Sequence, residues 1–257
     1  MGPLGWIVLF TLAGGALSAL AAGAFLLASD SVRTRLIPHL VSFATGVLLG
    51  AAFMRLLPGA FEGLGPDNVH SVGLTVLAGL LVFFLLEKLV LWRHCHHDEC
   101  DAHAGGHNHD ASGRLVLIGD AMHNLVDGVL IAAAFLTDFH LGVATSIAVI
   151  AHEIPQEVGD LAILLHSGFS RMRALTLNLL VSLTSVLGGL AGYYWLDGAR
   201  AYLPYALAVA AASFIYVAVA DLIPGMHKRV DIRSAAAQII LIAAGIGVIE
   251  LTHRFTH

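Results

Sequence analysis

Long apolar runs separated by short polar segments dominate the hydrophobic pattern of this chain. A membrane-spanning helix needs about 20 consecutive, mostly apolar residues, and eight segments of the sequence reach that length. We therefore predict an all-α polytopic membrane protein, with eight transmembrane helices in one domain over residues 1–257. The predicted spans are approximately residues 4–27, 37–61, 70–92, 114–136, 141–168, 171–196, 202–224 and 234–252.

The composition agrees with this pattern. The chain is 58% hydrophobic and only 12% charged, with a mean hydropathy of +0.82, which is far more apolar than soluble proteins are. We thus expect a lipid bilayer as its surroundings. The formal net charge of −5 gives no indication of a nucleic-acid partner. Because no Lys or Arg and no small-residue cleavage site accompany the first apolar segment, we expect a retained helix and not a signal peptide.

The basic residues predict the orientation of the helices. Cytoplasmic connections of membrane proteins carry an excess of Lys and Arg. Of the thirteen basic residues, ten fall in connections on one side of the predicted spans, Arg200 and Arg254 fall on the other side, and Arg55 lies inside the second span. We expect location in the cell (inner) membrane with both termini extracytoplasmic. Arg55 is either an interfacial side chain that snorkels outward or part of a site.

A histidine-rich segment separates the third and fourth spans, and we predict a cytoplasmic loop over residues 93–113. Residues 94–110 contain six histidines, four acidic residues and both cysteines of the chain, Cys95 and Cys100. Such a composition is typical of metal-binding segments, although the spacing matches no structural zinc site of defined geometry. A polar linker with incidental histidine enrichment is the alternative.

The fourth and fifth predicted spans carry polar residues at their centres. Ionisable side chains at membrane depth are costly, which favours a functional site facing a protein interior or a water-filled path. Residues 137–140 form a short connection, so the two helices are antiparallel neighbours whose centres lie at one level. The polar residues are Asp120, His123, Asn124 and Asp127 on the fourth span and His152, Glu153, Gln156 and Glu157 on the fifth.

These side chains have the chemistry of a metal site. His123 and Asp127 share one helix face, and His152 and Gln156 share another, because residues four positions apart are one turn apart. Imidazole, carboxylate and carboxamide groups suit a borderline divalent cation, zinc first, with iron, manganese or cadmium also acceptable. Pro155 removes a backbone donor and is expected to kink its helix. Interhelical hydrogen bonds that hold the bundle together are the alternative.

Two similar helix endings suggest an internal repeat. Leu57-Pro58-Gly59 ends the second span and Ile223-Pro224-Gly225 ends the seventh, and each proline comes three residues after a charge. The charge bias makes these two spans run in opposite directions. The same ending in opposite orientations is what an inverted-topology repeat leaves in a sequence. We predict a 3+2+3 arrangement, in which spans 1–3 and 6–8 are inverted copies around spans 4 and 5.

The fourth and fifth spans contain two polar motifs, His-Asn-x-x-Asp-Gly at 123–128 and His-Glu-x-Pro-Gln-Glu-x-Gly-Asp at 152–160. These motifs resemble those of the ZIP (Zrt/Irt-like) family of divalent metal transporters. The resemblance implies import of zinc, or of iron, manganese or cadmium, through a site, often binuclear, between helices 4 and 5. It also implies elevator-like alternating access, commonly in a homodimer. The metal-binding positions that it implies are His123, Asn124, Asp127, His152, Glu153 and Gln156, with Glu157 and Asp160 beside them.

The chain departs from the family pattern at two positions. Gln156 stands where the best-matching branch has histidine and other branches have glutamate, and Arg55 stands where many members have histidine. His152-Glu153 also begins the His-Glu-x-x-His pattern of zinc metalloproteases, which makes an intramembrane protease the alternative function. Because Gln156 replaces the second histidine and one of three zinc ligands would be lost, we predict no enzyme, no catalytic residue and no resident cofactor.

Overall fold

The computed structural model describes residues 1–25, 27–95, 109–227 and 231–254. Within these residues all regular structure is helical, with no strand. The all-α polytopic architecture is therefore confirmed. We label the long helices in chain order as α1 Pro3–Phe25, α2 Ser31–Leu64, α3 Val69–Cys95, α4 His109–Thr137, α5 Phe139–His166, α6 Arg171–Asp197, α7 Arg200–Met226 and α8 Ile232–Arg254.

Seven of these helices are long and apolar enough to cross a membrane, judged by their length and composition: all except α5. Helix α5 occupies the fifth predicted span, residues 141–168, and is 28 residues long. Its central polar residues, Glu153 and Glu157 among them, lower its hydropathy. The same groups that identify a candidate site thus remove α5 from the set of clearly apolar spans.

Four of the helices are locally irregular. Wide π-helical turns occur at Ala13–Leu17 in α1, Ala52–Leu56 in α2 and Val217–Leu222 in α7, and α6 is interrupted at Leu183. The turns in α2 and α7 each come directly before the proline of the repeated Leu/Ile-Pro-Gly ending. Such π turns are frequently found at functional sites.

We distinguish two groups of packed helices, α1, α4, α5 and α6 in one, and α2, α3, α7 and α8 in the other, while α5 also packs closely against α2. In the first group, a side chain at Gly128 of α4 would collide with the Ser185 carbonyl of α6. In the second group, a side chain at Gly46 of α2 would collide with the Ile242 carbonyl of α8. Glycine at such crossings lets two backbones touch, which is how helices associate in lipid.

The described helices extend into the predicted histidine-rich loop from both sides. Helix α3 continues through Cys95 and α4 begins at His109, so both ends of the segment 93–113 are helical. Residues 96–108, which include Cys100 and most of the histidines, lie outside the described residues. The prediction of a metal-binding loop therefore stays a prediction.

Candidate metal centre

Four side chains from α4 and α5 converge on one point: His123, Asp127, His152 and Glu153. Each offers one ligand atom, and the four atoms lie within 4.8 Å of one another. Nε2 of His152 is 3.2 Å from Oδ2 of Asp127 and 3.7 Å from Oε1 of Glu153. Nε2 of His123 is 3.8 Å from Oδ2 of Asp127 and 3.5 Å from Oε1 of Glu153. The predicted facing of the two polar helix stripes is what brings these atoms together.

These distances fit a four-coordinate zinc ion. Zinc binds nitrogen and oxygen ligands at about 2.0–2.1 Å in a tetrahedron, whose edges are then roughly 3.3–3.4 Å long. The two histidine Nε2 atoms are 3.1 Å apart, and the four nitrogen-to-oxygen distances lie on either side of the tetrahedral value. A cation at the centre of these atoms requires only small side-chain adjustments.

His152 is oriented for metal binding by its own helix. Its Nδ1 lies 2.9 Å from the Ala148 carbonyl oxygen, and because a carbonyl only accepts, Nδ1 must carry the proton and donate it. The neutral ring then presents the lone pair of Nε2 to Asp127 and Glu153. A backbone carbonyl that fixes the tautomer in this way is typical of metal-binding histidines.

The carboxylates of this cluster argue against a purely structural hydrogen-bond network. Asp127 is 1% exposed and Glu153 is fully buried, yet neither oxygen of either carboxylate has a hydrogen-bond partner among the described residues. Buried polar groups are nearly always paired, so an interhelical network would have satisfied these oxygens. Two carboxylates and two neutral imidazoles carry a charge of −2, which one divalent cation would balance.

A second cluster adjoins the first and shares Glu153 with it. Asp120, Glu153 and Glu157 also offer ligand atoms within 4.8 Å of one another, and all three are buried. Oδ1 of Asp120 accepts a hydrogen bond of 2.8 Å from Asn124, whereas its Oδ2 has no partner among the described residues. The geometry therefore offers two adjacent cation positions with Glu153 between them.

Helix α6 holds Glu157 from the other side. The Asn178 side-chain amide donates to Oε2 of Glu157, and the Ser182 hydroxyl donates to Oε1 at 2.6 Å. Asn178 is fully buried, and its own Oδ1 has no partner among the described residues. Asn178 and Ser182 lie on the sixth predicted span, and nothing in their sequence positions indicates that they contact Glu157.

The other predicted site residues have different surroundings. Asn124 is 1% exposed and directs its amide to Asp120. Gln156 is half-buried, and its side-chain amide forms no hydrogen bond with another described residue. The helix continues through Pro155 without interruption. Asp120 was recognised as part of the polar face of the fourth span, but its position beside Glu157 depends on packing that its spacing does not reveal.

Arg55 lies in the π-helical turn of α2. Its side chain is half-buried, and its Nε is buried without a hydrogen-bond partner among the described residues. Protein thus partly encloses the Arg55 side chain, whereas a side chain that only snorkels to the interface would be fully exposed.

Comparison with known proteins gives matches over almost the whole chain. The family model described as ZIP Zinc transporter matches residues 4–114 and 93–252. Zinc transporter ZIP13 of Pongo abelii is 34% identical over 231 residues, covering 84% of this chain and 67% of that protein. Zinc transporter ZIP13 of Homo sapiens is 31% identical, covering 84% and 71%. Zinc transporter ZIP4 of Homo sapiens is 32% identical, covering 75% of this chain and 39% of that protein.

Proposed function

The chain belongs to the ZIP zinc transporter family, and on that premise we propose that it imports zinc into the cytoplasm. As a member of this family it is an integral membrane protein that transports divalent metal ions, and it is not an enzyme. Zinc as the main substrate, the direction of transport and the path of the ion are our proposals. Iron, manganese and cadmium are the other substrates that the same donor set would accept.

The observation that carries the choice of zinc is the first cluster, His123, Asp127, His152 and Glu153. Its donor atoms lie at the spacing of a tetrahedron around zinc, and its charge balances that of one divalent ion. Three of the four side chains are essentially buried, whereas that of His123 is 21% exposed. We propose that the ion enters and leaves the site past His123. Because imidazole and carboxylate must lose their protons to bind metal, uptake should slow in acid.

We propose that the site is binuclear, with Glu153 as the shared ligand. Asp120 and Glu157 would complete the second position, assisted by Asn124 and Gln156 where these side chains reach an ion. The support is the second group of buried carboxylates and the unpartnered Oδ2 of Asp120. A second cation beside the first would also offset the repulsion between the adjacent carboxylates.

The two groups of helices support alternating access as the mechanism that we propose. Both clusters lie on α4 and α5, which pack with α1 and α6, while the Phe214 ring of α7 lies 6.1 Å from the His152 ring across the boundary between the groups. We propose that the first group slides as a rigid body past the second. Glycine crossings within each group and ordinary side-chain packing between the groups favour movement at that boundary.

The inverted repeat remains part of this proposal. Helices α2 and α7 both have a π turn directly before Pro58 or Pro224, and α1 and α6 are both irregular near their centres. Helices α3 and α8 are both regular. In both α1–α3 and α6–α8, the first helix is irregular, the second has a π turn before a proline, and the third is regular. This shared order supports a 3+2+3 arrangement. We also propose that the protein is a homodimer in the cell membrane and that both of its termini are extracytoplasmic.

Flux into liposomes tests the function directly. Purified protein should give zinc uptake that saturates with zinc concentration and falls in acid, whereas liposomes with the His152→Ala variant should not differ from empty ones. The alternative, an intramembrane protease, would give peptide cleavage without flux. It already lacks support in the structure, because Gln156 occupies the position of the second zinc-binding histidine.

A further inference from the structure

Asn178 of α6 has one paired and one unpaired polar atom beside the second cluster. Its amide nitrogen donates a hydrogen bond to Oε2 of Glu157, whereas its carboxamide oxygen, Oδ1, has no partner among the described residues. The residue is 0% exposed, so this oxygen lies inside the bundle. Buried acceptors are nearly always paired. An unpaired acceptor next to a group of buried carboxylates has the chemistry of a cation ligand.

Helix α6 is bonded to both helices that carry the cluster. The Ser182 hydroxyl donates to Oε1 of Glu157 on α5 at 2.6 Å. The Thr184 hydroxyl donates to the carbonyl oxygen of Ala121 on α4 at 2.9 Å. These contacts fix the backbone that carries Asn178. A half-turn of the carboxamide exchanges its nitrogen and its oxygen, so Oδ1 can face Glu157 without any movement of the helix.

All the donors of the second cluster are then oxygen atoms. Carboxylate oxygens of Asp120, Glu153 and Glu157 lie within 4.8 Å of one another, whereas the first cluster includes two histidine nitrogens. Asn178 adds a carboxamide oxygen to the three carboxylates. Imidazole suits zinc, whereas carboxylate and carbonyl oxygens suit harder ions such as manganese and magnesium. The two adjacent positions therefore differ in the ions that they favour.

We propose that Asn178 is a ligand of the second cation position through Oδ1, and that this position accepts a hard divalent cation beside the zinc ion of the first. The inference rests on the binuclear site of the proposed function, to which it adds a ligand from α6 and a second ion preference. Zinc still fills both positions when it is the only divalent ion, because it binds more tightly than manganese at most sites. An all-oxygen position reduces that margin.

The charges of the two clusters permit such a mixed pair of ions. The clusters contain four carboxylates and two imidazoles, and imidazole binds metal in its neutral form. Four negative charges balance two divalent cations, whichever ions these are. The carboxamide of Asn178 is neutral, so it adds a ligand atom and leaves this balance unchanged.

Manganese binding to the zinc-loaded protein tests this proposal. The sample is the full-length chain in detergent, with every histidine and cysteine of residues 94–109 replaced by serine, loaded with one zinc ion per chain. Manganese is then titrated, and the electron paramagnetic resonance signal measures the free ion. We expect one manganese ion to bind per chain while the zinc is retained.

Competition between the two ions measures the preference of each position. In Asp120→Asn only the first position remains, so this variant gives the margin of zinc over manganese there. In the wild type, a second equivalent of zinc competes for the manganese that is already bound. We expect the margin of zinc over manganese at the second position to be at least about tenfold smaller than at the first.

Two substitutions of Asn178 distinguish a ligand from a hydrogen-bond donor. Asn178→Ala should weaken manganese binding at least about tenfold, a usual loss when a residue at a metal site is removed. Asn178→Asp keeps an oxygen but has no amide hydrogen to give to Glu157, and it should bind manganese at least as tightly as the wild type. A residue that only holds Glu157 in place would give weak binding in both variants. Thr176→Ala, an exposed position on the same helix, is the matched control and should change nothing.

Zinc binding shows which proposal has failed. Zinc bound tightly at the first position of each variant shows that the protein is folded, and absence of zinc binding in the wild type would contradict the proposed zinc site itself. If zinc binds, the present inference is overturned by manganese affinity that is equal in wild type and Asn178→Ala, or by weak binding in Asn178→Asp. An equal margin of zinc over manganese at the two positions would overturn the preference for a hard ion.

Discussion

The Nε2 atoms of His123 and His152 lie 3.1 Å apart, and the two rings are almost perpendicular, at 82°. Because Ala148 fixes the proton of His152 on Nδ1, His152 turns a lone pair toward His123. Two imidazole lone pairs at this distance repel each other unless a proton or a cation lies between them. The contact is therefore a hydrogen bond when Nε2 of His123 carries a proton, and a pair of nitrogen ligands for one cation when it does not.

Removal of a ligand from this cluster should stop transport without affecting membrane insertion. We expect His123→Ala, Asp127→Ala and Glu153→Ala each to reduce initial zinc uptake in liposomes to below about a tenth, a loss of at least about 1.4 kcal/mol of transition-state stabilisation. His166→Ala, an exposed histidine on the same helix α5, should retain full uptake. Normal uptake in all three ligand variants would exclude this site.

Gln156 should affect the choice of metal. Gln156→His should raise the preference for zinc over manganese, because imidazole favours borderline ions more than a carboxamide oxygen does. Competition between the two ions for uptake measures the ratio. Gln156→Leu keeps a similar size without a ligand atom and should not shift the ratio toward zinc. If the histidine variant keeps the wild-type ratio, Gln156 does not contact the ion.

The second cluster predicts the number of bound ions. Asp120→Asn keeps the acceptor for Asn124 but removes the charge, so we expect the calorimetric stoichiometry to fall from two zinc ions to one. The first affinity should change by less than about threefold, since Asp120 is not a ligand in the first cluster. Asp197→Asn, an exposed carboxylate paired with Arg200, is the control.

That titration needs a protein whose histidine-rich segment no longer binds metal. The variant with every histidine and cysteine of residues 94–109 replaced by serine provides the background for Asp120→Asn and for its control. Two ions bound with or without Asp120 would contradict a binuclear site built on that residue.

The same replacement in residues 94–109 tests the histidine-rich segment itself. Because this segment lies outside the predicted spans and its ligand spacing matches no defined metal site, we expect initial uptake to stay within about twofold of wild type, about 0.4 kcal/mol. Low-affinity zinc binding should disappear, and inhibition of import by accumulated metal should weaken. A tenfold fall in initial uptake at normal expression would place the segment in the transport path.

Accessibility of single cysteines tests the orientation. In a background without Cys95 and Cys100, cysteines at Asn68 and Arg200 should react with a membrane-impermeant thiol reagent in intact cells, and cysteines at Arg33 and Ser234 should not. Asn68 lies in a short 3₁₀ turn between α2 and α3, and Arg200 lies in the 3₁₀ turn that begins α7. Labelling after permeabilisation confirms that all four variants are present. The reverse pattern would invert the proposed direction of import.

The helices and the first cluster could be predicted because they depend on local sequence. The apolar runs predict the helices. The four-residue spacing places His123 and Asp127 on one face of α4, and the short connection between α4 and α5 brings this face opposite His152. The second cluster could not be predicted, because Glu157 is held by Asn178 and Ser182, more than 20 residues away in the chain. That contact depends on how α6 packs on α4 and α5, including the close crossing at Gly128, and no periodicity in the sequence reveals this packing.

The π turns of α2 and α7 bear on the ancestry of the chain. The hydrogen bonds of a π turn run from i to i+5, so it holds one residue more than the α-helical turn that it replaces, as the insertion of a single residue would produce. In this protein both turns precede the same Pro-Gly pair, at Pro58 and at Pro224. If α1–α3 and α6–α8 are inverted copies, as proposed, one insertion in a three-helix precursor accounts for both turns. The extra residue is then older than the duplication that produced the eight-helix protein.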